Sequence, residues 1–324
     1  MRLSKTAATR KVFPVTVMRG GHNAVMNGTE LVTGEIQLSA VVGNSQRLDG
    51  GAMFGNAPKA LWSRFFAPDE ENRIGLACRA LLVETEDKKV LLETGIGVFF
   101  EKDLRSRYGV VEEEHILRKS LSALGVREED ITHVILSHLH FDHAGGLLCE
   151  PESGQPHRLL FPSARYVVSQ GALDRAERPH VRDKASFIPY LPGLLRNSGR
   201  LQVIPNGETQ NEALPGFRFH YSHGHTPGLL LTEILSKTQD RSVLFAGDLV
   251  PGAAWVHFPM TMGYDRFPEL LIEEKTTLLT ELSHRGGWLF FTHDPAVAMG
   301  KLALSENGRM AVCQTESAPV RWHL

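Results

Sequence analysis

The stretch Ser137-His-Leu-His-Phe-Asp-His-Ala-Gly-Gly146 constrains this 324-residue chain more than any other. It places four potential metal ligands, His138, His140, Asp142 and His143, within six positions, directly after an apolar, β-branched run (131–136) that reads as a buried strand. Imidazole and carboxylate are ligands that borderline divalent cations such as Zn²⁺ accept. One cation cannot easily use all four. In extended backbone His138 and His140 share a direction, whereas Asp142 and His143 are adjacent and diverge, so two neighbouring metals fit better than one. Gly145-Gly146 permits close backbone approach, and Asp142 stands where it could cap a helix starting near His143. A loop at a strand end is where a rigid scaffold displays chemistry.

Three later islands each put a ligand where a strand runs out: His225 in His223-Gly-His-Thr-Pro-Gly228, Asp248 closing Leu244-Phe-Ala-Gly-Asp248, and His293 in Leu289-Phe-Phe-Thr-His-Asp294. Taken in order, these motifs resemble the metallo-β-lactamase superfamily over roughly residues 75–300. The resemblance implies a four-layer αββα sandwich and two divalent metal ions, zinc first, with Fe, Mn or Co as alternatives. Carried over by position, it implies that His138, His140 and His225 hold one metal, that Asp142, His143 and His293 hold the other, and that Asp248 bridges them. The pattern does not require His223, which is expected to be a polar neighbour. Glu93-Thr-Gly95 stands where the family has Asp-Thr-Gly; the Glu keeps the charge but adds a methylene, which leaves open whether it contacts a ligating His.

Two cations about 3.5–4 Å apart lower the pKa of a bridging water, making hydroxide available as a nucleophile without Ser or Cys. The resemblance implies that Asp142 also orients that hydroxide. His143 and His225 are 82 positions apart, a spacing similar to the lactonase and organophosphate-hydrolase branch and long enough for a lid carrying Phe187, Tyr190, Leu191, Leu194 and Leu195. Trp255, Phe258, Met260, Met262, Tyr264 and Phe267 follow Asp248, and residues 49–55 and 62–66 add apolar bulk. These groups either line a pocket for an uncharged, partly hydrophobic small molecule or pack the core or a homodimer contact. The resembled lactonases carry a Tyr three residues after the bridging Asp; Pro251 stands there, leaving Tyr264 as the candidate donor to a substrate oxygen. The expected activity is hydrolysis of a lactone or ester, with phosphotriesters next. A nuclease, an iron-dependent persulfide dioxygenase, a thioester hydrolase and a noncatalytic binding protein are the competing classes.

Composition narrows the partners. A formal net charge of −2 provides no global basic field for nucleic acid or a membrane surface. Cys78, Cys149 and Cys313 are dispersed and lack CxxC spacing, which argues against a disulfide framework. No run is long enough to cross a bilayer and residues 1–11 have no apolar core, so the expected location is the cytoplasm. Residues 1–45 are expected to form an extension packed on the surface or mediating assembly, and residues 46–324 a single catalytic domain. Within it, residues 76–83 and 90–92 read as a hairpin. Residues 111–124 read as a helix with Glu112 to Glu114 in its first turn and Gly125 as its stop. Strands are expected at 165–169, 201–204, 217–222, 229–235, 242–246 and 289–292, and a helix at 268–284.

Overall fold

Leu81, Leu82 and Val83 are all fully buried, although successive strand side chains point to opposite faces, so the sheet that holds them is covered on both sides. A computed structural model describing residues 35–238 and 240–324 shows what covers it. Strand Ala80–Glu84 lies in a seven-stranded mixed sheet whose spatial order is Trp322–His323, Gln37–Val41, Ala80–Glu84, Lys89–Leu92, His133–Ile135, Arg165–Ser169, Leu201–Ile204. A six-stranded sheet has the order Met310–Glu316, Met299–Leu304, Trp288–Phe290, Ser242–Phe245, Leu229–Leu235, Phe217–Ser222.

One face of each sheet meets the other through Leu81, Val83, Val90, Ile135 and Val167 against Phe219, Leu230, Val243, Phe245 and Phe290. The alternate residues face outward. Leu82, Leu91 and Val134 pack with Leu117, Leu121 and Leu173 of two helices, and Leu229, Leu231 and Leu289 pack with Leu271, Leu279 and Leu282 of helix Pro268–His284. The result is the expected four-layer αββα sandwich of the metallo-β-lactamase type.

Each sheet contains a parallel pair that matters for function. Lys89–Leu92 runs parallel to His133–Ile135, and Ser242–Phe245 runs parallel to Trp288–Phe290. Parallel neighbours end at the same edge. Glu93, Ser137, Asp248 and His293 follow these four strands, which is how segments 200 positions apart supply one site.

Several boundaries differ from the sequence expectation. Strand Gln37–Val41 pairs along its whole length with Ala80–Glu84, so the core sheet begins inside the stretch expected to be an extension (1–45); residues 1–34 lie outside the described residues. The expected hairpin arm 76–83 is divided: Leu76 ends a strand, Arg73–Leu76, that pairs with Gln46–Asp49 in a separate small sheet. Between the pieces, Ala77 N donates to His293 O at 3.1 Å and Arg79 N donates to Thr292 O at 3.0 Å, tying this segment to the late histidine.

The helix expected at 111–124 is Ile116–Ala123, and Glu112 to Glu114 precede it. Asn44 Oδ1 accepts from Ile116 N and the Glu112 carboxylate accepts from Ser45 N, so those polar groups fasten the loop before residue 46 to the helix start. The helix near His143 begins at Phe141, with His140 rather than Asp142 at its cap position, which leaves the Asp142 carboxylate free to face the site.

Candidate metal centre

Seven buried or nearly buried side chains converge at the edge where the parallel strands end. His138 Nε2 and His225 Nε2 lie 2.9 and 3.3 Å from His140 Nδ1. His143 Nε2 and His293 Nε2 are 3.2 Å apart, and Asp142 Oδ2 is 3.7 Å from each. Between the two groups, Asp248 Oδ2 is 3.3 Å from both His143 Nε2 and His225 Nε2, while its Oδ1 is 3.2 Å from His293 Nε2. All seven residues expected from the sequence are therefore brought together.

Local structure holds four of the five rings by the far nitrogen, whereas the far nitrogen of His140, Nε2, is buried without a partner. His225 Nδ1 contacts Asp265 Oδ1 at 2.9 Å, and His293 Nδ1 donates to Ala77 O at 2.7 Å. His143 Nδ1 contacts Glu93 Oε2 at 2.8 Å. His138 Nδ1 is 2.9 Å from Ser137 Oγ, which in turn donates to the other Glu93 oxygen. One carboxylate thus steadies a histidine in each half. Orientation of this kind fixes the tautomer and leaves Nε2 available as a ligand on four of the five rings, with His140 presenting Nδ1.

Glycines make room for the arrangement. A Cβ on Gly247, whose φ is +48°, would sit 3.0 Å from Ser137 Oγ, and one on Gly146 would stand 2.1 Å from Thr94 O. Glu93 itself adopts φ +59°, an uncommon conformation for a residue with a side chain, held here by its two buried contacts.

The donor set fits cations. Two ligands about 2.0–2.1 Å from a tetrahedral zinc are about 3.4 Å apart, close to the nitrogen separations observed. Asp248 Oδ1 is buried without a hydrogen-bond donor, a costly state for a carboxylate that a cation would relieve. Electrostatics divide the centre. Burial and neighbouring imidazoles hold His138 and His140 well below the ordinary histidine range. Burial opposes protonation of His143 too, but the Glu93, Asp248 and Asp142 carboxylates overcome it and raise it well above that range; Asp248 does the same for His293. Burial would raise the Asp248 carboxyl, yet His143, His225 and His293 hold it well below the usual carboxylate range.

Residues 73–293 match the sequence family described as the metallo-beta-lactamase superfamily. The chain belongs to that superfamily. Among relatives of this metallo-beta-lactamase superfamily chain, a probable metallo-hydrolase from Mycobacterium tuberculosis is 38% identical over 90 residues, covering 25% of this chain and 28% of the relative. The chain thus spans little more than a quarter of that relative's length. An N-acyl homoserine lactonase from Bacillus thuringiensis is 26% identical over 238 residues, covering 66% of this chain and 79% of the relative. The crystal structure of a probable metal-dependent hydrolase from Staphylococcus aureus superposes with a TM-score of 0.76 at 28% identity, covering 90% of this chain and 99% of that one.

A pocket opens over the ligands. It is lined by Leu48, Met53, Leu76, Phe141, Met262 and Tyr264, with the polar groups Asp183, Ser186 and Arg266 and several of the ligands themselves. Tyr264 is therefore beside the site. Burial and the carboxylates of Asp142 and Asp49 push its hydroxyl pKa up, so it stays protonated as a donor. Phe187 packs its ring on His140, 4.7 Å between centroids, whereas Leu191 and Leu195 enter the core. Trp255 is core as well, stacked on Phe54 at 4.3 Å, while Phe258 is only partly buried and Phe267 is exposed.

Sequence reasoning missed Asp265, Asp183, Arg266 and Lys275, which lie in loops or on a helix and meet the site only through space. Lys275 is fully buried; its ammonium donates to Trp255 O at 3.1 Å and Met260 O at 2.5 Å, shaping the loop after Asp248, and burial lowers its pKa to about 8. A lysine on an otherwise apolar helix face was the available signal. His223 accepts from Gly228 N at 3.1 Å and belongs to the turn rather than the ligand cluster.

Proposed function

We propose that this chain is a metal-dependent hydrolase acting on lactones or related esters, with two zinc ions held by the residues that converge at the sheet edge. The observation that carries this reading is the double convergence: two ligand triplets, His138, His140, His225 and Asp142, His143, His293, with Asp248 in contact range of both. Nitrogen-rich donors favour zinc over magnesium or calcium. Bound cations supply Lewis acidity and make a coordinated water acidic near neutral pH.

The protein groups have separable tasks. Asp248, acidic and buried, keeps its charge on the line between the two triplets. Glu93 and Asp265 hold histidine rings in the ligating tautomer. Asp142 is the most exposed of the seven ligands and faces the pocket, so its carboxylate is placed to accept a proton from an attacking water and to return it to a leaving group. Tyr264, protonated and lining the pocket, would donate to a substrate oxygen as charge develops there. The apolar walls, Leu48, Met53, Leu76 and Met262, exclude water around an uncharged chain. Resemblance in sequence to a lactonase supports the carbonyl substrate.

The test pairs elemental analysis of protein purified without added metal with rates on lactone, aryl ester, phosphotriester, thioester and β-lactam substrates. The expected result is zinc, with lactone or ester turnover that disappears on chelation and returns with metal. Undiminished turnover after the metals are stripped rules the proposal out.

A further inference from the structure

His138, His140 and His225 present nitrogens alone, so this triplet depends on where its lone pairs are held, and His225 is the member that arrives on a different loop. That loop is laid along the start of helix Pro268–His284. Phe267 N donates to Gly224 O at 2.8 Å and Arg266 N donates to His225 O at 3.2 Å. A Cβ on Gly224 would stand 2.3 Å from Leu271 Cβ and 2.4 Å from Leu271 Cα, so only glycine permits this approach. Glu274, in the second turn of the helix, closes the contact: its carboxylate accepts from Ser222 Oγ at 2.6 Å, from His223 N at 3.0 Å and from Gly224 N at 3.2 Å. These three donors immediately precede the ligand. The two amides lie past the end of strand Phe217–Ser222, where the sheet no longer supplies acceptors. A carboxylate makes shorter and stronger hydrogen bonds to them than a neutral oxygen would. Lys275, the next residue, holds Trp255 O and Met260 O, in the loop whose Met262 N donates to Asp265 Oδ2 at 2.7 Å while Asp265 Oδ1 meets His225 Nδ1 at 2.9 Å. One helix therefore supports His225 twice, through its backbone and through its far nitrogen.

From these contacts we infer that Glu274 is a positioning residue for the metal centre: it fixes the backbone of residues 222–224 so that His225 Nε2 stays beside His140 Nδ1, and its loss weakens the metal of that triplet alone. The other triplet takes its support from Glu93 and the Ala77 carbonyl instead. The charge of Glu274 does not serve the helix itself, because it lies beyond the first turn, where a negative group gains little from the helix end. A carboxylate that merely fastened the helix to the loop would change the melting temperature without distinguishing the two metals. The inference rests on the assignment of His225 as a ligand and goes beyond it, since Glu274 acts through the backbone that carries the ring.

The experiment loads the full chain with Zn²⁺ and titrates it with a competing chelator, comparing wild type with Glu274→Gln, Ser222→Ala and Glu273→Gln. Gln keeps the size of Glu274 but replaces one acceptor oxygen with an NH₂ and removes the charge. Glu273→Gln removes the same charge from the exposed neighbouring position and is the control. Glu274→Gln is expected to weaken one zinc by about tenfold and to leave the other within about twofold. Ser222→Ala, which takes away one of the three donors, is expected to weaken the same zinc by about two- to threefold, and Glu273→Gln to leave both within about twofold. Zinc-edge anomalous diffraction from Glu274→Gln crystals, equilibrated at the chelator concentration that empties the weaker site, is expected to show the peak lost from among His138, His140 and His225. Thermal melting of the zinc-free proteins reads folding separately. Two zincs that Glu274→Gln leaves unchanged or weakens equally overturn the inference alone, as does a peak lost from among Asp142, His143 and His293, or an equal loss from Glu273→Gln. Wild type that binds no zinc at these residues defeats the ligand assignment and the inference with it.

Discussion

The two halves of the centre use similar ligands and are braced in different ways. His138, His140 and His225 form an all-nitrogen half in which burial and neighbouring imidazoles hold His138 and His140 well below the ordinary histidine range, and Asp265 steadies His225 from a loop. Asp142, His143 and His293 form a half with its own carboxylate, where nearby negative charge favours a cation and Glu93 and the Ala77 carbonyl steady the rings. The comparison teaches that negative charge would draw a cation to the second half, whereas preorganised lone pairs would draw one to the first. Glu93 and Asp248 belong to both.

Breaking the shared members should therefore cost most. Asp248→Asn is expected to lower ester turnover by about 1,000-fold or more, since several kcal/mol of transition-state stabilisation depend on the ions. It should also reduce bound metal measured by elemental analysis, while circular dichroism stays native. Glu93→Gln is next. It loosens one histidine in each half and should weaken metal retention by about 10- to 100-fold at both, read by competition with a chelator.

Asp265→Asn sharpens the contrast because it touches only the nitrogen half: a chelator titration should resolve one weakened and one unchanged site. Two sites weakened equally would mean that the halves are not independent. Tyr264→Phe should reduce lactone kcat by roughly tenfold with metal content unchanged, the scale of a single donor aimed at developing charge. An unchanged kcat returns Tyr264 to packing.

The smallest effect concerns stability. His115 is buried away from the centre with neither ring nitrogen paired, and burial, aided by Arg118, lowers its pKa to about 4. Between pH 6.5 and about 4 the unfolded chain binds the extra proton and the folded chain does not, so stability falls as pH falls through that window. His115→Gln should lose less of its urea midpoint between pH 7 and pH 5 than wild type does; identical losses would remove His115 from the acid response.

The ligands were legible because their chemistry is local. A His-x-His-x-Asp-His run after a strand, and single ligands closing later strands, carry their own geometry; the layered arrangement came from the family resemblance, and apolar spacing gave only the helices near 111–124 and 268–284. Strand Gln37–Val41 was not legible, since a short stretch with Ser39 at its centre acquires its status only by pairing with Ala80–Glu84. Asp265, Asp183 and Arg266 were hidden for the same reason: each is an ordinary polar loop residue until another loop folds against it. The helix cap expected of Asp142 does not form, because the helix begins at Phe141 with His140 at the cap position, and the Asp142 carboxylate keeps only its place among the expected ligands.

Anomalous diffraction at the zinc edge from crystals of protein purified without added metal tests the central claim most directly. The account predicts two peaks, one among His138, His140 and His225 and one among Asp142, His143 and His293, with Asp248 in contact with both. A single peak in fully active protein, or density at residues other than these seven, would contradict it.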